Sequence, residues 1–169
     1  MPTFAGERSR FDLSRYQDPL TIQRIILGGR TVAIVGLSNN HLRASYFVGY
    51  YLVRHGYRII PVNPREHQVL GEKSVGRLTD ITVPVDVVDV FRAPDALPGI
   101  AGDAVAIGAK ALWCQYSVIN EQGAGIAEAG GLAVVMDRCM KVEHARYVGR
   151  MHWLGFNTQR ITSVRGGLQ

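Results

Sequence analysis

The stretch TVAIVGLS, residues 31–38, decides the fold class of this chain. A short run of apolar, largely β-branched residues that ends in glycine predicts a strand buried on both faces, as the strands of a parallel sheet are. A second run of this kind, YRIIPVNP at 57–64, follows after about twenty residues, which is enough for a helical crossover. The two runs therefore predict neighbouring parallel strands joined by a helix.

Three further apolar runs extend this pattern along the chain. The predicted strands are VDVVDVF at 85–91, ALWCQY at 111–116 and part of LAVVMDRC at 132–139. Helices are predicted at 19–28, 45–56, 94–110, 119–131 and 141–155, and residues 65–84 are predicted to be irregular. Strands that alternate with helices predict an α/β fold, a Rossmann-like, doubly wound parallel sheet of five strands with helices on both faces.

The domain is predicted to span 19–146, with an N-terminal extension at 1–18 and a C-terminal extension at 147–169. The composition of the whole chain, 47% hydrophobic and 20% charged, is that of a folded protein. The sequence contains no apolar run long enough for a membrane span. Two cysteines, Cys114 and Cys139, are too few for a disulfide scaffold or a four-thiolate metal site. With no apolar signal-peptide core near the N-terminus, we expect a cytoplasmic protein.

The formal net charge is +5, from 19 basic and 14 acidic residues. These basic residues are scattered rather than gathered into one stripe with aromatics, so we expect no nucleic-acid partner. The excess fits either a solvated surface or a site for a polyanionic small molecule. A modest basic cluster near the C-terminus, together with Trp153, leaves a regulatory module that docks a partner protein as an alternative. That cluster comprises Arg146, Arg150, Arg160 and Arg165.

Polar residues follow several of the predicted strands at their carboxyl ends. Right-handed crossovers bring these ends to one edge of the sheet, where ligands of such folds bind. Gly36 allows a close approach of backbone to ligand, and the following helix can present N–H groups to a phosphate. The loop matches neither G-x-G-x-x-G nor a Walker A sequence. After the second strand, Asn63 stands where a dinucleotide site has an acid for the ribose hydroxyls.

Three arginines map to this same edge, namely Arg43, Arg65 and Arg92. Singly, each fits an exposed surface arginine, but together they suit the capture of phosphate groups. Because Arg65 also suits an additional ribose phosphate, an NADP-dependent oxidoreductase remains an alternative. That class needs a proton donor near the substrate, and the sequence contains no Tyr-x-x-x-Lys pair.

The fourth predicted strand ends in Trp113, Cys114 and Gln115. Trp113 is predicted to be a core aromatic and Cys114 a small buried side chain. Asp137, Cys139 and His144 suggest a metal site only weakly, because their spacing is not that of a known ligand set, so structural roles are expected.

Six segments carry a resemblance to a known family: AIVGLS, GYRIIPVNPR, LGEK, PVDVVDVFR, AIGAKALWCQ and VVMDRCMKVEH. In this order they resemble the CoA-binding protein family, a Rossmann-like family related to the N-terminal domain of the succinyl-CoA synthetase alpha subunit. The resemblance implies that coenzyme A, or a short acyl-CoA, lies across the carboxyl edge of the strands. The contacts it implies come from Gly36, Ser38, Arg43, Ser45, Asn63, Pro64, Arg65, Phe91, Arg92 and Gln115.

Non-catalytic binding is the function expected from this resemblance. Succinyl-CoA synthetase carries its phosphorylated histidine in a second domain, and this chain is expected to be too short to include one. None of the five histidines lies in a motif that would replace it. The chain departs from the family pattern at 39–41, Asn-Asn-His, where the family has a proline- or lysine-bearing stretch, and at Cys114, where an aliphatic residue is usual.

Overall fold

The computed structural model describes residues 11–148 of the chain. The strands within these residues are β1 (Thr31–Val35), β2 (Arg58–Val62), β3 (Gln68–Val69), β4 (Glu72–Lys73), β5 (Val87–Val90), β6 (Ala111–Cys114) and β7 (Ala133–Val135). Five of them form one sheet in the order β2-β1-β5-β6-β7, and β3 pairs with β4 in a separate hairpin. Every pairing in the five-stranded sheet is parallel, as the sequence predicts.

Helices cover both faces of this sheet. They are α1 (Pro19–Gly28), α2 (Ala44–Arg54), α3 (Leu97–Ala106), α4 (Glu121–Ala129) and α5 (Met140–Tyr147). One apolar core contains residues of α1, α2 and α5, and a second contains residues of α3 and α4 on the opposite face. The doubly wound α/β fold predicted from the sequence is therefore confirmed.

The central strands are buried because both of their faces meet helices. Along β1, Val32 and Ile34 point to the core beneath α1, α2 and α5, whereas Ala33 lies in the other core. Trp113 is fully buried, and its indole N–H donates to the carbonyl oxygen of Arg138 at 2.8 Å. It is the core aromatic that the sequence predicts.

Local sequence sets where the helices begin. Asp18 caps α1, since its carboxylate accepts a hydrogen bond from the N–H of Thr21 at 2.8 Å. The helix predicted at 94–110 is split: a 3-10 turn covers Pro94–Ala96, and α3 begins at Leu97 with Pro98 in its first turn. Proline is tolerated there because its missing N–H would have no partner in the helix.

The irregular structure predicted for 65–84 is wrong for part of that segment. β3 and β4 form a short antiparallel hairpin, Val75 bridges to Val62 of β2, and Leu78–Asp80 form a 3-10 turn. Strands of two residues are too short for an alternating pattern, so the sequence carries little signal of them. The hairpin lies beside β2, at one edge of the sheet.

Residues 11–18 pack against the domain rather than pointing away from it. Tyr16 is buried, and its carbonyl oxygen accepts a hydrogen bond from the N–H of Met136, next to β7. The predicted division into one domain and two extensions stays a prediction. Residues 1–10, the last helix beyond 148, the cluster arginines beyond Arg146, and Trp153 lie outside the described residues.

Among the helices of residues 11–148, none is long and apolar enough to cross a membrane.

Candidate functional site

A cavity of about 350 Å³ opens at the carboxyl ends of β1, β2 and β5. It lies where the strand order reverses, because the chain passes from β1 to β2 on one side and later to β5 on the other. Its lining residues are Gly36, Ser38, Arg43, Ala44, Ser45, Asn63, Arg65, Glu66, Phe91 and Arg92.

Most of the residues that the sequence predicts for the site line this one cavity. Two do not. Pro64 is exposed between two lining residues, and Gln115 is buried, with its side-chain amide donating to Asp89 at 2.7 Å. Contact of these ten residues with a ligand stays a prediction.

Gly36 makes the tight turn at the end of β1. Its φ of +89° lies in the left-handed region, which residues with a side chain adopt at a cost. A Cβ at this position would lie 2.9 Å from the carbonyl oxygen of Phe91, too close for ordinary contact. Glycine therefore lets the loop after β1 pass directly beside the end of β5.

The N-terminus of α2 offers hydrogen-bond donors to the cavity. No side chain caps this helix, and within residues 11–148 the N–H groups of Ala44 and Ser45 donate no hydrogen bond. The hydroxyl of Ser45 instead accepts from the N–H of Ser38 at 3.2 Å, which ties the loop to the helix. Uncapped N–H groups at the positive end of a helix dipole favour an anion.

Asn63 joins the loops that follow β1 and β2. Its side-chain NH₂ donates to the carbonyl oxygen of Leu37, and its side-chain oxygen accepts from the N–H of Arg65, both at 3.0 Å. Both polar atoms of this buried side chain are thus used within the protein. The structure assigns Asn63 a structural contact in addition to its place on the cavity wall.

The three arginines predicted for the site, Arg43, Arg65 and Arg92, lie around the cavity and are exposed. Among the described residues, no carboxylate forms an ion pair with any of them. Guanidinium groups bind phosphate oxygens through paired hydrogen bonds. The cavity is therefore electrostatically suited to an anion with several phosphate groups.

Sequence reasoning missed Glu66, which lies on the cavity wall. Its carboxylate accepts hydrogen bonds from the backbone N–H of Asn39 at 2.9 Å and from the side-chain NH₂ of Asn39 at 3.1 Å. The N–H of Glu66 donates to the carbonyl oxygen of Asn63, so a tight turn brings this acid back toward the loop after β1. The feature of the sequence that could have indicated this residue is an acid in the turn that follows β2.

A buried carboxyl group lies on β5, two positions before Phe91 of the cavity wall. Asp89 is fully buried; one oxygen accepts from Gln115, and the other has no partner among the described residues. Burial raises the pKa of Asp89 to about 7. Asp89 therefore retains its proton to a higher pH than an exposed aspartate does.

Both cysteines are buried and free. Burial, assisted by the charge of Asp89, raises the pKa of the Cys114 thiol, which makes the thiolate scarce and the residue unreactive. No group of three or more histidine, cysteine, aspartate or glutamate side chains that could hold a metal ion occurs within residues 11–148. His144 hydrogen-bonds to the hydroxyl of Tyr51 at 2.9 Å, a packing contact between α5 and α2.

The fold is that of a Rossmann-like α/β domain, and its cavity at the carboxyl edge of the sheet is lined in part by arginines. Residues 30–145 match the family model described as a CoA binding domain. The chain therefore belongs to the CoA binding domain family, which confirms the resemblance seen in its sequence motifs.

Three relatives illustrate the extent of the likeness. The uncharacterized protein YneT of Bacillus subtilis is 39% identical over 124 residues, which cover 73% of this chain and 92% of YneT. A hypothetical protein from Pyrococcus horikoshii OT3 is 33% identical with a TM-score of 0.78, covering 83% of this chain and 99% of its own. The cell-free ID.343 protein from Thermus thermophilus is 32% identical with a TM-score of 0.73, covering 77% and 98%.

Proposed function

We propose that this protein binds coenzyme A or a short acyl-CoA in the cavity at the carboxyl edge of the sheet, without catalysing a reaction on it. The observation that carries this proposal is the set of three arginines, Arg43, Arg65 and Arg92, around one cavity in a chain of the CoA binding domain family.

The chemistry of coenzyme A matches the cavity in two respects. The molecule carries a pyrophosphate and a separate phosphate on its ribose, so it needs cations at more than one place. In this proposal the pyrophosphate binds at the N-terminus of α2, where the N–H groups of Ala44 and Ser45 are available to an anion. Arg65 and Arg92 follow different strands and can bind different phosphate groups. A cavity of about 350 Å³ holds the phosphorylated part while the rest extends along the edge.

The polar groups around the cavity are those that bind and orient a ligand. They are guanidinium groups, hydroxyls and backbone N–H groups; the amide of Asn63 and the carboxylate of Glu66 also lie on the wall but bond to neighbouring loops. Within the described residues, no histidine or cysteine lines the cavity. The proposed function is therefore binding without a proton-transfer pair of the kind that catalysis uses.

Thermal unfolding with a panel of ligands tests the proposal. A ligand that binds only the folded protein raises the unfolding temperature by mass action. We expect a clear rise with coenzyme A or acetyl-CoA, a smaller one with dephospho-CoA, and a much smaller one with NAD or NADP. A larger rise with NADP than with coenzyme A contradicts the proposal and favours the oxidoreductase alternative. Mass spectrometry of ligand retained through purification then identifies the acyl group.

A further inference from the structure

Glu66 is an acid in a cavity that is otherwise lined by cations and hydrogen-bond donors. Its carboxylate lies among the residues that include Arg43, Arg65 and Arg92, yet it forms no ion pair with them within residues 11–148. Instead, it binds the loop after β1 through the backbone N–H and side-chain NH₂ of Asn39. A carboxylate placed here repels any polyanion that enters the cavity.

Two sets of backbone donors in and next to the cavity wall differ in their partners. The N–H groups of Ala44 and Ser45, at the start of α2, donate to no atom of the described residues. The N–H of Asn39, in the loop that leads to this helix, is bound by Glu66 at 2.9 Å. The donors at the start of α2 are thus open, whereas the Asn39 N–H, next to the lining residue Ser38, is already bound by a carboxylate of the protein.

We propose that Glu66 is an internal competitor for the ligand: its carboxylate occupies the Asn39 N–H in the free protein, and a phosphate group of the ligand replaces it on binding. This inference rests on the proposed function, since it assigns Glu66 a role at the same site. When displaced, the carboxylate moves toward solvent; Glu66 is only partly buried.

The internal competitor sets a requirement that the ligand must meet. A ligand must supply enough favourable phosphate contacts to replace two hydrogen bonds of a carboxylate and to overcome its negative charge. A ligand whose other phosphate groups bind Arg43, Arg65 or Arg92 meets this requirement, whereas a ligand that reaches only the Asn39 N–H does not. Glu66 also joins the loop after β1 to the turn after β2.

The test compares Glu66→Gln with Glu72→Gln, a matched variant that also removes one negative charge. Glu72 is exposed on β4 and does not line the cavity. Isothermal titration with coenzyme A is expected to show about three- to tenfold tighter binding by Glu66→Gln, since one charge-assisted hydrogen bond no longer opposes the ligand. Glu72→Gln is expected to bind like the wild type, because an exposed charge outside the site contributes little.

Three outcomes overturn the inference. Weaker binding by Glu66→Gln means that Glu66 holds the loop or the ligand in place. Unchanged binding means that the carboxylate is not displaced. An equal gain in Glu72→Gln means that only net charge matters. If the wild type itself does not bind coenzyme A, the proposed function fails, and that result is distinct from the other three.

Hydrogen exchange at the Asn39 amide provides a second measurement that does not depend on affinity. In the ligand-free protein, Glu66→Ala is expected to exchange this amide several times faster than the wild type, because its acceptor is gone. Saturating coenzyme A is expected to restore slow exchange in the same variant. Continued fast exchange in the complex contradicts the replacement of the carboxylate by a phosphate group.

Discussion

Asp86 directly precedes β5 and Asp89 lies in its carboxyl half, and the two carboxyl groups differ in how many hydrogen bonds they accept. Asp86, at the amino end, accepts hydrogen bonds from the N–H groups of Arg30 and Thr31 and from Lys110, at 2.8–3.0 Å. Burial acts to raise the pKa of Asp86, but these bonds outweigh it and hold the pKa below its usual value. The carboxylate of Asp86 thus links the amino ends of β1, β5 and β6 through these hydrogen bonds.

Asp89, toward the carboxyl end, accepts fewer side-chain hydrogen bonds than Asp86 does. Gln115 donates to one of its oxygens, the other has no partner among the described residues, and burial raises its pKa to about 7. The arginines around the cavity, Arg43, Arg65 and Arg92, likewise form no ion pair with a carboxylate of the described residues. Asp86 thus has partners for its charge within the protein, whereas Asp89 and the three arginines leave polar groups without such partners among the described residues.

The largest effect that sharpens this comparison is expected from Asp89→Asn. The pKa of Asp89 is about 7 in the folded protein against an ordinary value of 3.8, so the unfolded chain ionises first as pH rises. The wild type therefore loses stability between pH 4 and pH 7, by roughly 4 kcal/mol at most, since one pKa unit corresponds to about 1.4 kcal/mol. The variant lacks this loss, and urea unfolding at several pH values measures the difference.

Asp86→Asn is the matched control, and its effect has the opposite sign. It removes a charge that the folded state favours, so it lowers stability at neutral pH and has less effect under acidic conditions, where the wild-type carboxyl is protonated as well. A stability difference between Asp89→Asn and wild type that does not change from pH 4 to pH 8 contradicts the account of Asp89.

The second prediction concerns the cations of the carboxyl edge. Arg65→Ala and Arg92→Ala are each expected to weaken coenzyme A binding about ten- to a hundredfold, because a hydrogen bond to a charged group is worth roughly 1.5–3 kcal/mol. Lysine at either position is expected to restore binding only in part, since it lacks the planar fork of donors. Calorimetry measures both effects, and the unfolding temperature without ligand should hardly change.

Arg24 of α1 is the control for these variants, because it is exposed and lines a different cavity, at the amino edge of the sheet. Arg24→Ala is expected to bind coenzyme A like the wild type. Wild-type affinity in both Arg65→Ala and Arg92→Ala refutes the placement of the phosphate groups, whatever the fold.

The smallest effect is expected from two glycines, one at each edge. Gly36→Ala forces a side chain into a left-handed backbone conformation against the carbonyl of Phe91, which should cost about 1–2 kcal/mol of stability. Gly28→Ala adds a Cβ with no atom within 4 Å at the end of α1, where alanine favours the helix by up to about 1 kcal/mol. Thermal unfolding of the two variants tests this contrast, and equal shifts would mean that the Gly36 turn relaxes freely.

Apolar patterning was sufficient to predict the architecture from sequence, because the central strands are buried on both faces. Runs such as TVAIV and ALWC have only one stable environment, the middle of a covered parallel sheet. Once the strands are known, right-handed connections fix which loops share an edge, so Gly36, Asn63 and Arg92 could be brought together without coordinates.

What the sequence did not reveal depends on turns and on partners. Glu66 reaches the cavity through a turn whose direction no periodic pattern encodes. Gln115 follows a strand that ends at the correct edge, but its side chain turns inward to Asp89 because a buried carboxyl needs a donor. Tyr16 lies in a segment with no apolar pattern, and its burial depends on contacts with distant residues.

The double hydrogen bond of Asn63 has an evolutionary consequence. A change from asparagine to aspartate alters one side-chain group and would place an acid where dinucleotide sites have theirs. Here, however, the new carboxylate would face the carbonyl oxygen of Leu37, about 3.0 Å from the former NH₂ position, and two acceptors repel each other. The substitution would separate the loops that form the cavity before it provided a ribose contact. This single substitution is therefore not expected to change the ligand class unless the loop after β1 changes as well.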